Sequence, residues 1–415
     1  MGVSGMAQNG GLWRREYAVT VWDDVVGQAH VVAELSAAAA DADALVTSGG
    51  AGSRMTHAWL FTGPPGSGRS TAARAFAAAL QCVSPDRALG AAPGCGFCDG
   101  CHTTLVGTHA DVEFVRTDLL SIGVKDTRDL VRRASLSPAV GRWQVIVIED
   151  ADRLTEGAGN VLLKAVEEPA PRTVWLLCAP SVEDALPTIR SRCRLLSLRT
   201  PSVEAVADVL TRRDGIDPRL AADVARATQG HIGRARRLAT DESARERRAA
   251  VLRLPLRVGD IGGCLRAAQE LVDAAAEDAK AVAEGVDAKE TEEMRAALGA
   301  AAGAGSRMPR GTAGAMKELA DRQKRRSTRT QRDSLDLALT DLASFYRDVL
   351  TVQFGTGERI ANTEVDDGIR QIAATSRPEH SLRRIEAVLA CRDALDRNVA
   401  PLLAVEAMTL ALRAG

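Results

Sequence analysis

Aromatic side chains make up only 3% of this 415-residue chain, while Ala, Leu, Val and Arg are plentiful. That scarcity favours helices packed through small aliphatic side chains over a core of stacked rings. The chain also lacks an excess of either charge: 53 Lys and Arg face 54 Asp and Glu, a net charge of -1. A protein that binds DNA by itself through phosphates carries a basic excess. The balance therefore argues against an autonomous DNA binder and leaves a DNA-facing role within a larger complex open. No apolar run reaches the roughly 20 residues that a bilayer-spanning helix needs. The first residues, MGVSGMAQNGGLWRREYAV, place no apolar core ahead of their charges, so they do not form a secretory signal. A cytoplasmic protein with no membrane partner is expected, and Met6 offers a second start. There is no internal repeat.

What is present is an ordinary globular composition, 46% hydrophobic and 26% charged, in a chain long enough for two or three domains. Residues 1–20 read as a flexible N-terminus. From 21 to 198, short apolar runs alternate with amphipathic stretches. HAWLFTG (57–63), WQVIVIED (143–150) and TVWLLCAP (173–180) read as strands, and STAARAFAAAL (70–80) and EDALPTIR (183–190) as helices. Uninterrupted β-branched strands alternating with helices imply a parallel sheet buried on both faces. After about Thr200 the strands are expected to stop. Three short helices, punctuated by Pro201, Asp217-Pro218 and Gly230, occupy 199–243. Residues 244–415 read as all-helical, with an Ala/Gly-rich stretch at 296–316 that suggests a loop or frayed junction. A basic run follows: Arg322, Lys324, Arg325, Arg326, Arg329 and Arg332. Such a run is either a solvated helix face or a surface that touches DNA.

GPPGSGRS (63–70) matches the phosphate-binding pattern G-x-x-x-x-G-K-[ST] at every place but one, and it lies between a strand and a helix as that pattern requires. Gly63, Gly66, Ser67 and Gly68 would let backbone N–H groups close around phosphate oxygens at a helix N-terminus. Ser70, followed by Thr71, would hold Mg²⁺. The Lys position is Arg69, charged but planar and bulkier, and the two are not interchangeable. A glycine-rich turn with no ligand is the alternative. At the end of the second strand stand Glu149 and Asp150. A P-loop ATPase of this class has Asp then Glu there, one for Mg²⁺ and one to polarise the attacking water. Each carboxylate is thus a methylene away from its usual reach, which weakens the case for catalysis. A solvated acidic turn is the other reading.

Of the eight cysteines, four crowd one stretch: Cys95-x-x-Cys98-x-x-Cys101, with Cys82 thirteen residues upstream. In a reducing compartment such a cluster points to metal rather than to disulfides. Four thiolates fill a tetrahedral Zn²⁺ shell and leave no open position, so the ion would be structural. An iron–sulfur cluster, or four reduced thiols, are the alternatives. Ser191-Arg192-Cys193 places an arginine that either pairs with a local carboxylate or reaches into a neighbour's nucleotide site.

Taken in order, DDVVGQ (23–28), HAWLFTGPPGSGRS (57–70), CGFCDGC (95–101), KDTRDL (125–130), GRWQVIVIED (141–150), NVLLKAVEEP (160–169) and RSRC (190–193) resemble the bacterial DNA polymerase III clamp-loader subunits. The resemblance covers about 20–240; beyond 244 only helical character and position match. It implies an α/β AAA+ P-loop domain with a parallel sheet at 21–198, carrying a zinc-binding insertion at 82–101. It further implies a helical lid at 199–243 and an all-α collar at 244–415, in a hetero-oligomeric ring that opens a sliding clamp and places it on primed DNA. By the same resemblance Cys82, Cys95, Cys98 and Cys101 hold zinc, and Arg192 acts as an arginine finger on the neighbouring subunit's ATP. The departures sort the types. The gamma/tau type, which hydrolyses ATP, keeps Lys in its loop, Asp-Glu at the strand end, a Thr after the next strand and an Arg in the lid. Here those places read Arg69, Glu149-Asp150, Ala179-Pro180 and Gly233, with Arg234 adjacent. This pattern resembles the delta-prime type, a rigid ring subunit that supplies an arginine to gamma/tau beside a delta subunit. ATP and Mg²⁺ at its own site are doubtful on this reading; the alternative is a gamma/tau-like ATPase that tolerates Arg69.

Overall fold

The computed structural model describes residues 20–49, 54–117, 119–297, 313–357 and 359–415. The chain divides into two compact units. The first comprises Met1–Thr117, Ser121–Ala225 and Gly230–Arg234, the second Asp118–Leu120, Arg226–Gln229 and Ala235–Gly415.

The first unit opens with α1 (Ala29–Ser48), β1 (Ala58–Thr62) and α2 (Arg69–Leu80). There follow α3 (Asp99–Val106), β2 (Val112–Val115), α4 (Val124–Ala134) and β3 (Gln144–Ile148). Next come α5 (Glu156–Glu167), β4 (Thr173–Ala179), α6 (Pro187–Arg190) and β5 (Arg194–Ser197). The strands form one wholly parallel sheet in the order β2-β3-β4-β1-β5. Side chains alternate across it, as the two-residue period of a strand requires. Trp59, Phe61, Val145, Val147, Val174, Leu176 and Cys178 join one core with α1 and α2. Leu60, Ile146, Ile148, Trp175 and Leu177 join the other, with α4 and α5. The alanines of α2 (Ala72, Ala73, Ala75, Ala77, Ala78 and Ala79) are all buried. With mostly methyl groups on its packing face, the helix lies close against its sheet, and Phe76 adds one edge-to-face contact with Trp59 (centroids 5.3 Å apart).

The expected α/β parallel-sheet class is therefore the observed one, with two strands more than the hydrophobic pattern revealed. β2 and β5 are four-residue edge strands, mostly half-buried or exposed, and so carry no continuous apolar run. The expected helix over 183–190 is a correction. Only Pro187–Arg190 is helical, because Asp184 accepts from the Ser181 N–H (2.9 Å) and makes a turn where the helix was expected to start.

Three short helices follow, α7 (Val203–Arg212), α8 (Pro218–Ala227) and α9 (Ile232–Thr240), and the division between the units falls within the last two. The rest is helical: α10 (Glu242–Arg253), α11 (Ile261–Ala297), α12 (Ala313–Phe354), α13 (Asp366–Thr375), α14 (Pro378–Asp396) and α15 (Pro401–Ala414). Their apolar faces share one core that includes Leu271, Leu339, Phe345, Tyr346, Val388 and Val405. Inside it, the Asp348 carboxylate accepts from the backbone N–H groups of Ala361 and Asn362 (2.9 and 2.8 Å), so a buried charge is fully hydrogen-bonded. The expected flexible N-terminus and most of the Ala/Gly-rich segment 296–316 lie outside the described residues. In the basic run, Arg326 is paired with Glu290 and Asp287 (both 3.0 Å) and Arg329 with Asp333 (3.4 Å). Both arginines are largely buried, so this part of the run is neither a solvated face nor a free cationic surface.

Candidate nucleotide loop, cysteine cluster and rim arginine

β1 ends at Thr62 beside Ala179, in register, and the Gly63 N–H donates to the Pro180 carbonyl (3.2 Å). The loop 63–68 thus leaves the C-terminal edge of a parallel sheet and enters α2, a position at which α/β folds place their ligands. Its glycines are required by shape. Gly66 and Gly68 have φ of +85° and +90°, the left-handed region that costs other residues most. A Cβ on Gly66 would lie 2.4 Å from the His231 ring, and one on Gly63 would lie 2.5 Å from the Leu198 carbonyl oxygen. Gln28, fully buried, braces the loop: its Nε2 donates to the Ser67 carbonyl (3.3 Å) and its Oε1 accepts from Arg199 N–H (3.2 Å). The Ser67 hydroxyl is buried without a hydrogen-bond partner, as a group kept for an oxyanion would be. Ser70 and Thr71 open α2 just beyond, both half-buried.

The side chains that would do chemistry on a phosphate are engaged elsewhere. Arg69 folds back over the loop and donates to the Gly63 carbonyl. Burial lowers its pKa, while the charges of Cys178, Asp152, Asp150 and Asp184 oppose that shift. Glu149 is paired with Arg74 of α2 at 3.2 Å, and Arg74 also stacks on Phe114, 4.0 Å from the ring centroid. Asp150 accepts from the Thr117 N–H (3.1 Å). Ala179 and Pro180 offer no side-chain donor at the end of β4. The residues present thus fit a loop that can cradle an anion. They do not fit a Mg²⁺–nucleotide set for hydrolysis, and no catalytic step is assigned to them.

Sequence reasoning singled out Gly233 in the lid and passed over its neighbour. The His231 ring stands against Gly66, and its Nδ1 accepts from the Arg234 N–H (3.3 Å) at the first turn of α9. Burial holds its pKa below the ordinary 6.5, and the charges of Arg234 and Arg69 act in the same direction. The unfolded chain therefore binds a proton that the folded chain refuses as pH falls through 6.5. Stability should drop in that window, and a His231→Gln variant should show a shallower drop in denaturant titrations at pH 7.5 and 5.5. An equal slope in the two proteins would contradict this.

The four clustered cysteines come together as expected. Their sulfurs lie within 4.8 Å of one another, with Cys82 and Cys101 buried and Cys95 and Cys98 half-buried. A tetrahedral ion with metal–sulfur bonds of about 2.3 Å needs S···S edges of roughly 3.8 Å, and Cys82 and Cys98 are 3.9 Å apart. Backbone N–H groups point at the sulfurs, Val83 at Cys98 (3.3 Å) and Cys98 at Cys95 (3.4 Å). Such bonds support thiolate ligands from outside the first shell. The Cys101 hydrogen bond, with backbone N–H groups of Cys95, Gly94 and Ser84, pulls the Cys82 pKa down against its burial. Gly100 lets α3 meet the end of α2: a Cβ there would lie 1.9 Å from the Gln81 carbonyl oxygen. The donor set fits a soft metal ion.

Arg192 follows α6 directly and is about one-third exposed. Its Nε donates to Glu167 Oε1, with which Nη2 is also ion-paired, and its Nη1 donates to the Thr188 carbonyl (2.7 Å) and the Ser191 hydroxyl (3.2 Å). The local-carboxylate partner that the sequence left open therefore exists. Glu167 is the last residue of α5.

A phosphate loop on a five-stranded parallel sheet, followed by helical segments, defines a P-loop protein of the AAA+ type. A family model described as "DNA polymerase III, delta subunit" matches residues 43–202. The gamma/tau subunit of Mycobacterium tuberculosis is 36% identical over 192 residues, 45% of this chain and 31% of that protein. The delta' subunit of Pseudomonas aeruginosa is 32% identical over 205 residues, 49% of this chain and 61% of its own length. The delta' subunit of Bacillus subtilis is 31% identical over 201 residues, 48% and 59% of the two chains. A solved gamma subunit-related protein of Thermotoga maritima aligns over 86% of this chain at 13% identity and a TM-score of 0.38. Over about half its length the chain is similar to DNA polymerase III clamp-loader subunits, both gamma/tau and delta'. It spans about a third to three-fifths of the curated relatives' lengths. Among the described residues, no helix is long and apolar enough to cross a membrane.

Proposed function

We propose that the chain is a delta-prime-type subunit of a cytoplasmic clamp loader, a ring partner of gamma/tau and delta subunits that helps place a sliding clamp on primed DNA. In this reading its own loop does not turn over ATP, and Arg192 serves the ATP of the neighbouring subunit. Cys82, Cys95, Cys98 and Cys101 hold a structural Zn²⁺, which supplies a crosslink between the end of α2 and the start of α3. The observation that carries the reading is the engagement of Arg69 by the loop carbonyl and of Glu149 by Arg74, while Arg192 stays on the surface. The domain boundaries follow the same scheme: AAA+ module to 198, lid at 199–243 and collar from 244.

ATP turnover by the purified chain tests it. No turnover is expected from the natural sequence, and none from Arg69→Lys alone, since Glu149 stays paired with Arg74. Turnover by the natural chain that is lost on Ser70→Ala would instead establish a gamma/tau-like ATPase, the second reading, which the 36% identity to a gamma/tau subunit supports. A free-standing DNA-binding role is disfavoured by the ion pairs of Arg326 and Arg329 and by the net charge of -1.

A further inference from the structure

The pairing of Arg192 with Glu167 has no adequate explanation as a stabilising contact. Their side chains are 36% and 42% exposed, and ion pairs at that exposure contribute little to stability. Glu167 also stands at the C-terminal end of α5, where the helix dipole disfavours a carboxylate. The arrangement is nonetheless specific. Nε and Nη2 converge on one carboxylate oxygen, while Nη1 is held by the Thr188 carbonyl and the Ser191 hydroxyl. Three guanidinium N–H donors are thereby committed to hydrogen bonds and Nη2 is ion-paired, so the flexible arginine side chain is held in one orientation. A long side chain that must meet a phosphate across a subunit boundary gains most from being held beforehand.

We propose that Glu167 is the positioning residue for Arg192: it orients the guanidinium, so that the arginine meets the neighbour's nucleotide preformed. The inference rests on the reading of Arg192 given above, and the test separates the two. Rings would be reconstituted from full-length chains carrying Arg192→Ala, Glu167→Ala, Glu167→Gln or the double substitution Glu167→Ala/Arg192→Ala, and steady-state ATP hydrolysis measured. The expectation for Glu167→Ala is a kcat lowered by about tenfold to a hundredfold, the cost of a misplaced group, with ring assembly and KM for ATP unchanged. Glu167→Gln, which keeps an acceptor at the same reach, should recover part of that loss. The double variant should be no slower than Arg192→Ala alone, because a residue acting only through Arg192 has nothing further to lose. An unchanged or faster Glu167→Ala ring, beside a slow Arg192→Ala ring, would overturn the positioning role and leave the arginine finger standing. A double variant slower by the product of the two single effects would overturn it as well. An Arg192→Ala ring at full rate would overturn both readings.

Discussion

Replacing Arg192 by alanine should slow ATP hydrolysis by the assembled ring by roughly 10³–10⁵-fold at each site that this chain serves, the range measured when an arginine finger is withdrawn. The whole-ring loss will be smaller if other sites continue to turn over. The physical cause is the charge that gathers on the transferring phosphoryl group, which a guanidinium neutralises only if it is in place before the reaction. The same substitution should leave the fold untouched, since Arg192 lies on the surface and its contacts with Glu167, Thr188 and Ser191 are all exposed. Unfolding midpoints of the two proteins should therefore agree. A large loss of stability in place of a loss of rate would mark Arg192 as structural.

Breaking the cysteine cluster is the second large effect. In small domains that fold around zinc, the ion is worth about 10–16 kcal/mol. Here α2 is already anchored by its alanines against the sheet, so part of that value appears as local rather than global unfolding. Cys95→Ser/Cys98→Ser should abolish metal binding and release α3 and the turns before it. Those turns reach further: the Val21 N–H donates to the Gly94 carbonyl (3.1 Å) and Trp22 Nε1 to the Pro93 carbonyl (3.3 Å). Hydrogen exchange should accordingly rise at residues 21–24 as well as at 94–106. The natural chain should carry one zinc per molecule, and freshly purified protein with almost none would remove the site.

How much of this was legible in the sequence depended on range. The Cys95-x-x-Cys98-x-x-Cys101 spacing is local chemistry and Cys82 was read with it; the structure adds that the four sulfurs converge within 4.8 Å. β1, β3 and β4 were legible because a strand buried on both faces has no polar interruptions. β2 and β5 were not, because edge strands of four residues look like loops. The phosphate loop was readable from its glycines, whereas the fate of its acid was not. Glu149 meets Arg74, 75 residues away, and no spacing rule links them. Glu167 lay inside a stretch already recognised, NVLLKAVEEP, and His231 two residues before Gly233, yet their partners Arg192 and Gly66 become apparent only when α5 meets α6 and the start of α9 meets the loop. In the basic run, charge alone suggested either solvent or DNA, while the neighbouring α11 supplies Asp287 and Glu290 to Arg326.

The most direct test compares two single substitutions in the same reconstituted ring, Ser70→Ala at this chain's own loop and Arg192→Ala at its rim. If this subunit serves its neighbour's nucleotide and does not hydrolyse its own, Ser70→Ala leaves the ring's ATP turnover unchanged and Arg192→Ala lowers it steeply. The opposite pattern, turnover lost with Ser70→Ala and kept with Arg192→Ala, would contradict the account and return the chemistry to this chain's own loop.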